Sequence, residues 1–191
     1  MLGESKRVEK PWGFELWWAH TDHYAGKVLH VEAGHRLSLQ YHRVKDESCY
    51  LLAGRIRLVT GTNVHDLETV ELEPTACWRN PPGQVHTVEA IETSDILEVS
   101  TPQLDDVVRL LDDYGRITPA PQSEPRDGAP ATPARLFDRD QVAARLNISR
   151  EEFRRRAAEP GFPQPEAYFR GRLLWTEAAI EELLTGRPDV A

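Results

Sequence analysis

Gln40, His42, Glu47 and His86 are four side chains whose types and spacing suit a metal centre. The run Arg36-Leu37-Ser38-Leu39-Gln40-Tyr41-His42 alternates polar and apolar residues. In an extended strand alternate side chains share a face. Arg36, Ser38, Gln40 and His42 then point one way, and Leu37, Leu39 and Tyr41 the other. Glu47 follows after a short loop, from which a carboxylate can turn back to the polar face. Farther on, Pro81-Pro82-Gly83-Gln84-Val85-His86 brings a second imidazole just after a rigid turn, at the start of a strand. Two imidazoles, a carboxylate and an amide oxygen form a mixed nitrogen–oxygen donor set for one divalent ion. Zn is the first choice, with Mn, Fe, Co or Ni as alternatives, and no thiolate takes part.

The elements that position these residues are short strands. Residues 28–31, 36–42, 48–52, 55–60, 69–72 and 96–99 are runs rich in β-branched, aromatic and leucine residues, broken by Gly, Pro, Asn or Asp. Ala53-Gly54 and Gly61-Thr62-Asn63 read as hairpin turns. Many short strands without a long helical period predict a mainly β barrel or sandwich. The chain has 191 residues, 40% hydrophobic and 28% charged, which is room for one medium domain or two small ones. Cys49 and Cys77 are too few for a disulfide framework and are expected as small buried apolar residues in a reducing cytosol. The opening residues lack the apolar run of a signal peptide, and no stretch approaches the ~18 apolar residues of a membrane span. A cytoplasmic protein with no membrane partner is the expectation.

Residues 117–134, ITPAPQSEPRDGAPATPA, carry five Pro and one Gly and read as a semi-rigid linker. From there to the end the chain holds ten Arg against ten Asp plus Glu, so the whole net charge of −8 lies before it. The two parts therefore have different partners. Residues 137–149 read as a helix and a tight turn with Asp138 as N-cap. Ser149 caps a second helix over 150–159, with Glu152 completing a capping box. Tyr168 to Trp175 reads as a hairpin, and a last helix spans 176–184. Helix, turn, Arg-bearing helix and basic hairpin is the layout of a winged helix-turn-helix. Residues 135–187 resemble excisionase/AlpA-like and MerR-type DNA-binding domains, through Val142-Ala143-Ala144-Arg145-Leu146, Gly161-Phe162-Pro163, Gly171-Arg172 and Trp175. The resemblance implies contact with double-stranded DNA through Arg150, Arg154, Arg155, Arg170 and Arg172, and a homodimer meeting two half-sites.

The first part resembles the cupins, whose fold is a double-stranded β-helix or jelly-roll barrel. Gly34-HRLSL-Gln40-Tyr-His42-RVKD-Glu47-SCYLLA-Gly54 keeps every spacing of the first cupin motif, and Pro81 to His86 matches the second. The early Gly of the second motif is replaced by Thr75 and its trailing Asn by Ala90. Gln40 at the first ligand position narrows the likeness to phosphomannose isomerases. Residues 7–116 are similar to the isomerase domain of bifunctional mannose-1-phosphate guanylyltransferase/mannose-6-phosphate isomerases, through Lys10-Pro11-Trp12-Gly13, Asp105-Asp106-Val107-Val108-Arg109 and Asp112-Asp113-Tyr114-Gly115-Arg116. Three positions depart from that family. Lys45 stands for its Arg, Ser100-Thr101-Pro102 for its Gln-x-Gly, and the connection to Asp105 is shorter.

The likeness implies three segments: a metal-binding barrel at 1–116, the linker at 117–134 and the DNA-binding domain at 135–191. It also implies aldose–ketose isomerisation of a sugar phosphate, or chemistry on a nucleotide sugar. Such a reaction needs a base, for which Glu98, Lys45 and His35 are candidates. It also needs anchors for the substrate, and Lys10, Arg36, Ser38, Arg109 and Arg116 are placed there. Two other readings stand beside the enzyme: a metal-containing sensor of sugar phosphate that regulates transcription, and a metal-binding cupin unrelated to sugars.

Overall fold

The computed structural model describes residues 3–116, 136–159, 161–169 and 172–185. The chain divides into two compact units, residues 1–133 and 134–191. The 117–134 linker reading and Arg170 lie outside the described residues.

The first unit contains eleven strands: β1 (Lys6–Lys10), β2 (Gly13–His20), β3 (Ala25–Val31), β4 (Leu39–Tyr41), β5 (Glu47–Ala53), β6 (Ile56–Gly61), β7 (Leu67–Leu72), β8 (Cys77–Asn80), β9 (Val85–Ala90), β10 (Ser94–Ser100) and β11 (Val108–Leu111). They form an antiparallel six-stranded sheet in the order β1-β2-β3-β10-β5-β8 and a five-stranded sheet in the order β11-β4-β9-β6-β7. Strand alternation sends one face of each sheet inward. Leu29, Val31, Leu51, Ile56, Leu58, Val88 and Ile96 make the core between them. Burying such side chains stabilises by roughly 1.5–3 kcal/mol each.

Three expectations change here. β5 pairs with β10 and β8, whereas β6 pairs with β7 and β9, so Ala53-Gly54 carries the chain from one sheet to the other and is no hairpin. Gly54 sits at φ +83°, and an added Cβ would lie 2.3 Å from Ser94 Oγ. Gly61, by contrast, pairs with Leu67 at the end of a true hairpin. The 36–42 run is not one strand: only residues 39–41 pair continuously, with an isolated bridge from Arg36 to Glu89. Cys49 is buried, but Cys77 is exposed because it stands on the outward side of β8.

The second unit has β12 (Leu136–Asp138), α1 (Arg139–Arg145), α2 (Arg150–Ala157), β13 (Ala167–Phe169), β14 (Arg172–Thr176) and α3 (Glu177–Thr185). Its sheet runs β12-β14-β13. Asp138 caps α1 with a full capping box completed by Gln141. Ser149 caps α2 through the Glu152 N–H. The Glu152 carboxylate does not complete a box, because Arg155 and Arg156 hold it instead. Phe153 is the pivot of the core, with Phe162 and Trp175 each edge-on to it at 5.5 Å. Among the described residues no helix is long and apolar enough to cross a membrane.

Candidate metal centre and cavity

The registers of the strands bring distant residues into line. Across the five-stranded sheet, Arg109 pairs with Gln40, Gln40 with His86, and His86 with Thr60. Across the six-stranded sheet one inward row reads Ala25–Ser100–Glu47–Asn80. The next reads Trp17–Lys27–Glu98–Cys49–Trp78. The two sheets thus face each other with Gln40 and His86 on one side and Glu47 on the other. Between them lies a cavity of about 360 Å³, lined also by His42, Lys10 and Arg116.

His42, Glu47 and His86 are buried, and one ligand atom from each lies within 4.8 Å of the others. His42 Nε2 is 3.4 Å from one Glu47 oxygen, and His86 Nε2 is 3.2 Å from the other. Neither Nε2 has a hydrogen-bond partner, although both are shut off from solvent. Their Nδ1 atoms donate to backbone carbonyls, that of His42 to Asp106 and that of His86 to Gln84 at 2.9 Å. This fixes the tautomer, so both Nε2 lone pairs point at the same carboxylate. Such an arrangement would be costly without a cation between the lone pairs and the oxygens, and a divalent ion fits it. Gln40 lines the same space, with its Oε1 accepting from Ser38 Oγ at 2.7 Å.

Charges interlock along the cavity wall. Lys45 Nζ donates to Glu47 at 2.5 Å and to Glu98 at 2.7 Å. Lys27 Nζ stands 3.7 Å from both Glu98 and Glu15, and Lys10 is 3.2 Å from Glu15. Burial pushes the Lys45 ammonium down, but Glu98 and Glu47 outweigh it and hold its pKa above the usual lysine range. Burial pushes the Glu47 carboxyl up; the Lys45 ammonium beside it reverses this and holds it well below the usual range. Glu15 is likewise lowered, against burial, by Lys27, the Trp17 indole N–H and Lys10.

Of the base candidates, Glu98 faces the cavity. Lys45 also faces it, but as an ammonium between two carboxylates it has no lone pair to offer. His35 is not part of the wall; it bonds to the Tyr114 hydroxyl at 3.1 Å. Among the anchors, Lys10, Ser38, Arg109 and Arg116 line the cavity. Arg36 instead forms a bidentate pair with Asp113; residues 37 and 38 lie in no strand, and Leu37 and Ser38 both line the cavity, so strand alternation does not hold there. Arg116 is held by Asp112 and lies over the Tyr114 ring. Arg109 has a buried Nε without a hydrogen bond, and burial followed by the Arg116 charge lowers its pKa.

Sequence reasoning missed Lys27, Glu15, Asn80 and Asp106. Asn80 donates to Glu47 at 2.8 Å. The Asp106 carboxylate accepts the backbone N–H groups of Arg43, Val44 and Lys45, anchoring the loop that presents Glu47. Its neighbour in the Asp105-Asp106 motif was a visible signal; Lys27 and Asn80 had none, since only strand pairing brings them in.

In the second unit, Asp138, Arg139, Asp140, Arg150, Arg154 and Arg172 line a groove of about 350 Å³. Arg150 pairs with Asp140 at 2.8 Å and Arg172 with Asp138 at 3.2 Å. Arg155 is taken up by Glu152 and Glu159 and does not line the groove. Arg139, which the sequence reading passed over, joins it.

No protein-family profile matches the chain. No curated protein matches it either. Among solved structures, oxalate decarboxylase from Bacillus subtilis aligns over 82% of this chain and 37% of its own, at 15% identity and a TM-score of 0.52. KdgF from Halomonas sp. aligns over 55% of this chain and 92% of its own, at 21% identity and a TM-score of 0.46. The capsular polysaccharide assembling protein CapF from Staphylococcus aureus aligns over 56% of this chain and 34% of its own, at 18% identity and a TM-score of 0.46. The chain thus spans little more than a third of the oxalate decarboxylase and CapF chains. At 15% identity the likeness to oxalate decarboxylase is one of fold, and that fold is the cupin barrel.

Proposed function

We propose that the barrel is a metal-dependent isomerase of sugar phosphates, interconverting an aldose and a ketose as mannose-6-phosphate isomerases do. The observation that carries this reading is the pair of orphaned, buried Nε2 atoms aimed at Glu47, in a cavity that also presents Lys10, Arg109 and Arg116. A divalent ion held by Gln40, His42, Glu47 and His86 supplies Lewis acidity toward the substrate carbonyl. The cationic residues hold the phosphate. Glu98 takes the proton from C2 of the aldose. The C2–H electron pair becomes the C1=C2 bond, and the carbonyl pair moves onto O1. The O2 proton passes to O1, and Glu98 returns its proton to C1, leaving the ketone at C2. Lys45 holds the Glu98 carboxylate in place during both transfers.

The test is conversion of mannose-6-phosphate to fructose-6-phosphate by the metal-loaded protein. Turnover that His86→Ala and Glu98→Gln each abolish supports the enzyme. Absence of turnover with Zn, Mn, Fe, Co and Ni overturns it.

A second reading rests on the arginine groove. Residues 135–191 would form a winged helix-turn-helix domain, tethered by the 117–134 segment, and the barrel would sense the sugar phosphate in the cytoplasm. Arg139 and Arg154 have no carboxylate partner among the described residues and are free to meet DNA phosphates. Arg154→Ala is then expected to weaken duplex binding and reduce the salt slope by about 1, while Arg155→Ala leaves both near wild type. Equal effects of the two substitutions refute this assignment.

A further inference from the structure

Lys27 carries an ammonium that the barrel buries without a hydrogen bond among the described residues. Its side chain lines the cavity and is only 7% exposed. Its Nζ stands 3.7 Å from Glu98 Oε1 and 3.7 Å from Glu15 Oε2, outside hydrogen-bond reach of either. The Trp17 ring, centred 5.3 Å away, offers no acceptor oxygen. Lys45 shows how a lysine that balances buried charge behaves, because it closes to 2.7 Å on the same Glu98 oxygen. An ammonium has three donors and no acceptor, and leaving them unmet in an interior is costly. The donors of Lys27 are thus left for a group that enters the cavity.

The place of Lys27 in the sheet says which group that is. Glu47, Glu98, Lys27 and Glu15 stand on the adjacent strands β5, β10, β3 and β2, and Lys10 follows on β1, 3.2 Å from Glu15. At ~4.8 Å per strand, the step from β10 to β2 spans about 10 Å. Lys27 and Glu15 therefore lie between the metal-facing end of the cavity and its cationic end at Lys10, Arg109 and Arg116. Carboxylates on both sides of Lys27 repel a second anion. A hydroxyl fits them, since it accepts from the ammonium and donates to a carboxylate. Glu15 is held for that task by the Trp17 indole N–H at 2.7 Å and keeps lone pairs to spare.

Resting on the reading of the barrel as a sugar-phosphate isomerase, we propose that Lys27 and Glu15 form a hydroxyl-reading subsite. It holds the C3 and C4 hydroxyls of an open-chain substrate. With C1 and C2 at the metal ligands and Glu98, and the phosphate at Lys10, Arg109 and Arg116, the carbons between them pass over Lys27 and Glu15. The subsite selects a chain that is hydroxylated between carbonyl and phosphate. A deoxygenated chain is disfavoured, because it leaves the buried ammonium unmet. A chain bearing an acid at this point is disfavoured by Glu15 and Glu98.

Calorimetric titration of the metal-loaded full chain tests this with two probes that have no carbonyl and cannot react. They are mannitol-6-phosphate and its 3,4-dideoxy analogue. Wild type is expected to bind the first about ten- to a hundredfold more tightly. Lys27→Met and Glu15→Gln should each shrink that ratio while leaving the affinity for the dideoxy probe near wild type, with thermal melts confirming that the variants fold. The wild-type ratio needs no variant, so the proposal can fail even where a substitution does not fold. Equal affinities for the two probes, in a protein that still converts mannose-6-phosphate, overturn the subsite and leave the isomerase reading standing. A preference that survives in both folded variants places the recognition elsewhere and overturns it too. Binding of neither probe, together with no turnover, overturns the subsite and the isomerase reading alike.

Discussion

Replacing Lys45 by Met tests whether the buried charge network is built as described. Lys45 Nζ lies 2.5 Å from Glu47 and 2.7 Å from Glu98, with all three side chains no more than 6% exposed. At an effective dielectric of ~20, each contact is worth about 6 kcal/mol in gross Coulomb energy. Much of that offsets the cost of stripping water from the ions, and breaking a buried pair typically costs about 3–5 kcal/mol net. Removing the ammonium also leaves two buried carboxylates on neighbouring strands with less to hold them apart. We therefore expect Lys45→Met to lower the stability of the metal-free protein by about 3–5 kcal/mol, a large part of the ~5–15 kcal/mol of a typical domain. Adding Glu98→Gln should recover about half of the loss, since it removes one of the two stranded charges. Urea unfolding followed by tryptophan fluorescence reads this, because Trp12, Trp17, Trp18 and Trp78 all belong to the first unit. A loss below about 1 kcal/mol, or a double variant no more stable than the single one, would refute the network.

Two backbone positions predict opposite signs. Gly54→Ala forces a Cβ to within 2.3 Å of Ser94 Oγ at φ +83° and should cost about 1–3 kcal/mol, read as a lower urea midpoint. Thr75 holds φ 82° with a β-branched side chain, so Thr75→Gly should gain about 0.5–1 kcal/mol after the entropy of the freer unfolded chain is subtracted. Asp112 is pushed up by burial but held below its ordinary pKa by Arg116 and by the backbone N–H groups of Arg116 and Tyr114. Its contribution is present above the unfolded value of ~3.9 and lost as pH falls through the lower folded value. The gap between wild type and Asp112→Asn, followed by thermal melts, should hold level from about pH 5 to 8 and narrow below ~4. Adding Zn or Co at about a hundred times its dissociation constant should stabilise the wild type by ~2.7 kcal/mol, and His86→Ala should remove most of this shift.

The meeting of His42, Glu47 and His86 was legible because motif spacing is local: a His-bearing run, a loop to Glu47 and a Pro-Gly turn before His86. Thr75 was legible in a different way. A residue standing where related barrels keep glycine proves to hold a left-handed backbone. Lys27, Glu15 and Asn80 were not legible, because they enter the cavity only through cross-strand register, which no single stretch encodes. β1 and β2 were missed because Lys6–Lys10 is charged and β2 is irregular at Trp18, where its register with β3 shifts. Arg36 failed as an anchor because strand alternation was extended across residues 37 and 38, which lie in no strand. The hairpin assigned to Ala53-Gly54 failed because a tight glycine turn looks the same whether the chain doubles back or crosses to another layer.

Glu98 has one more consequence, for folding. β10 carries Leu97 and Val99 outward and Ile96 and Glu98 inward, so both of its faces could satisfy a search for apolar partners. A slip of one residue would turn Leu97 and Val99 inside and cast Glu98 out. Greasy contact alone discriminates weakly between those two alignments. What separates them is that the slipped one takes Glu98 from between Lys27 and Lys45, leaving each buried ammonium with one carboxylate, Glu15 or Glu47, in place of two. The buried charges thus act as an alignment key, rejecting the mispaired sheet by the penalty it would carry.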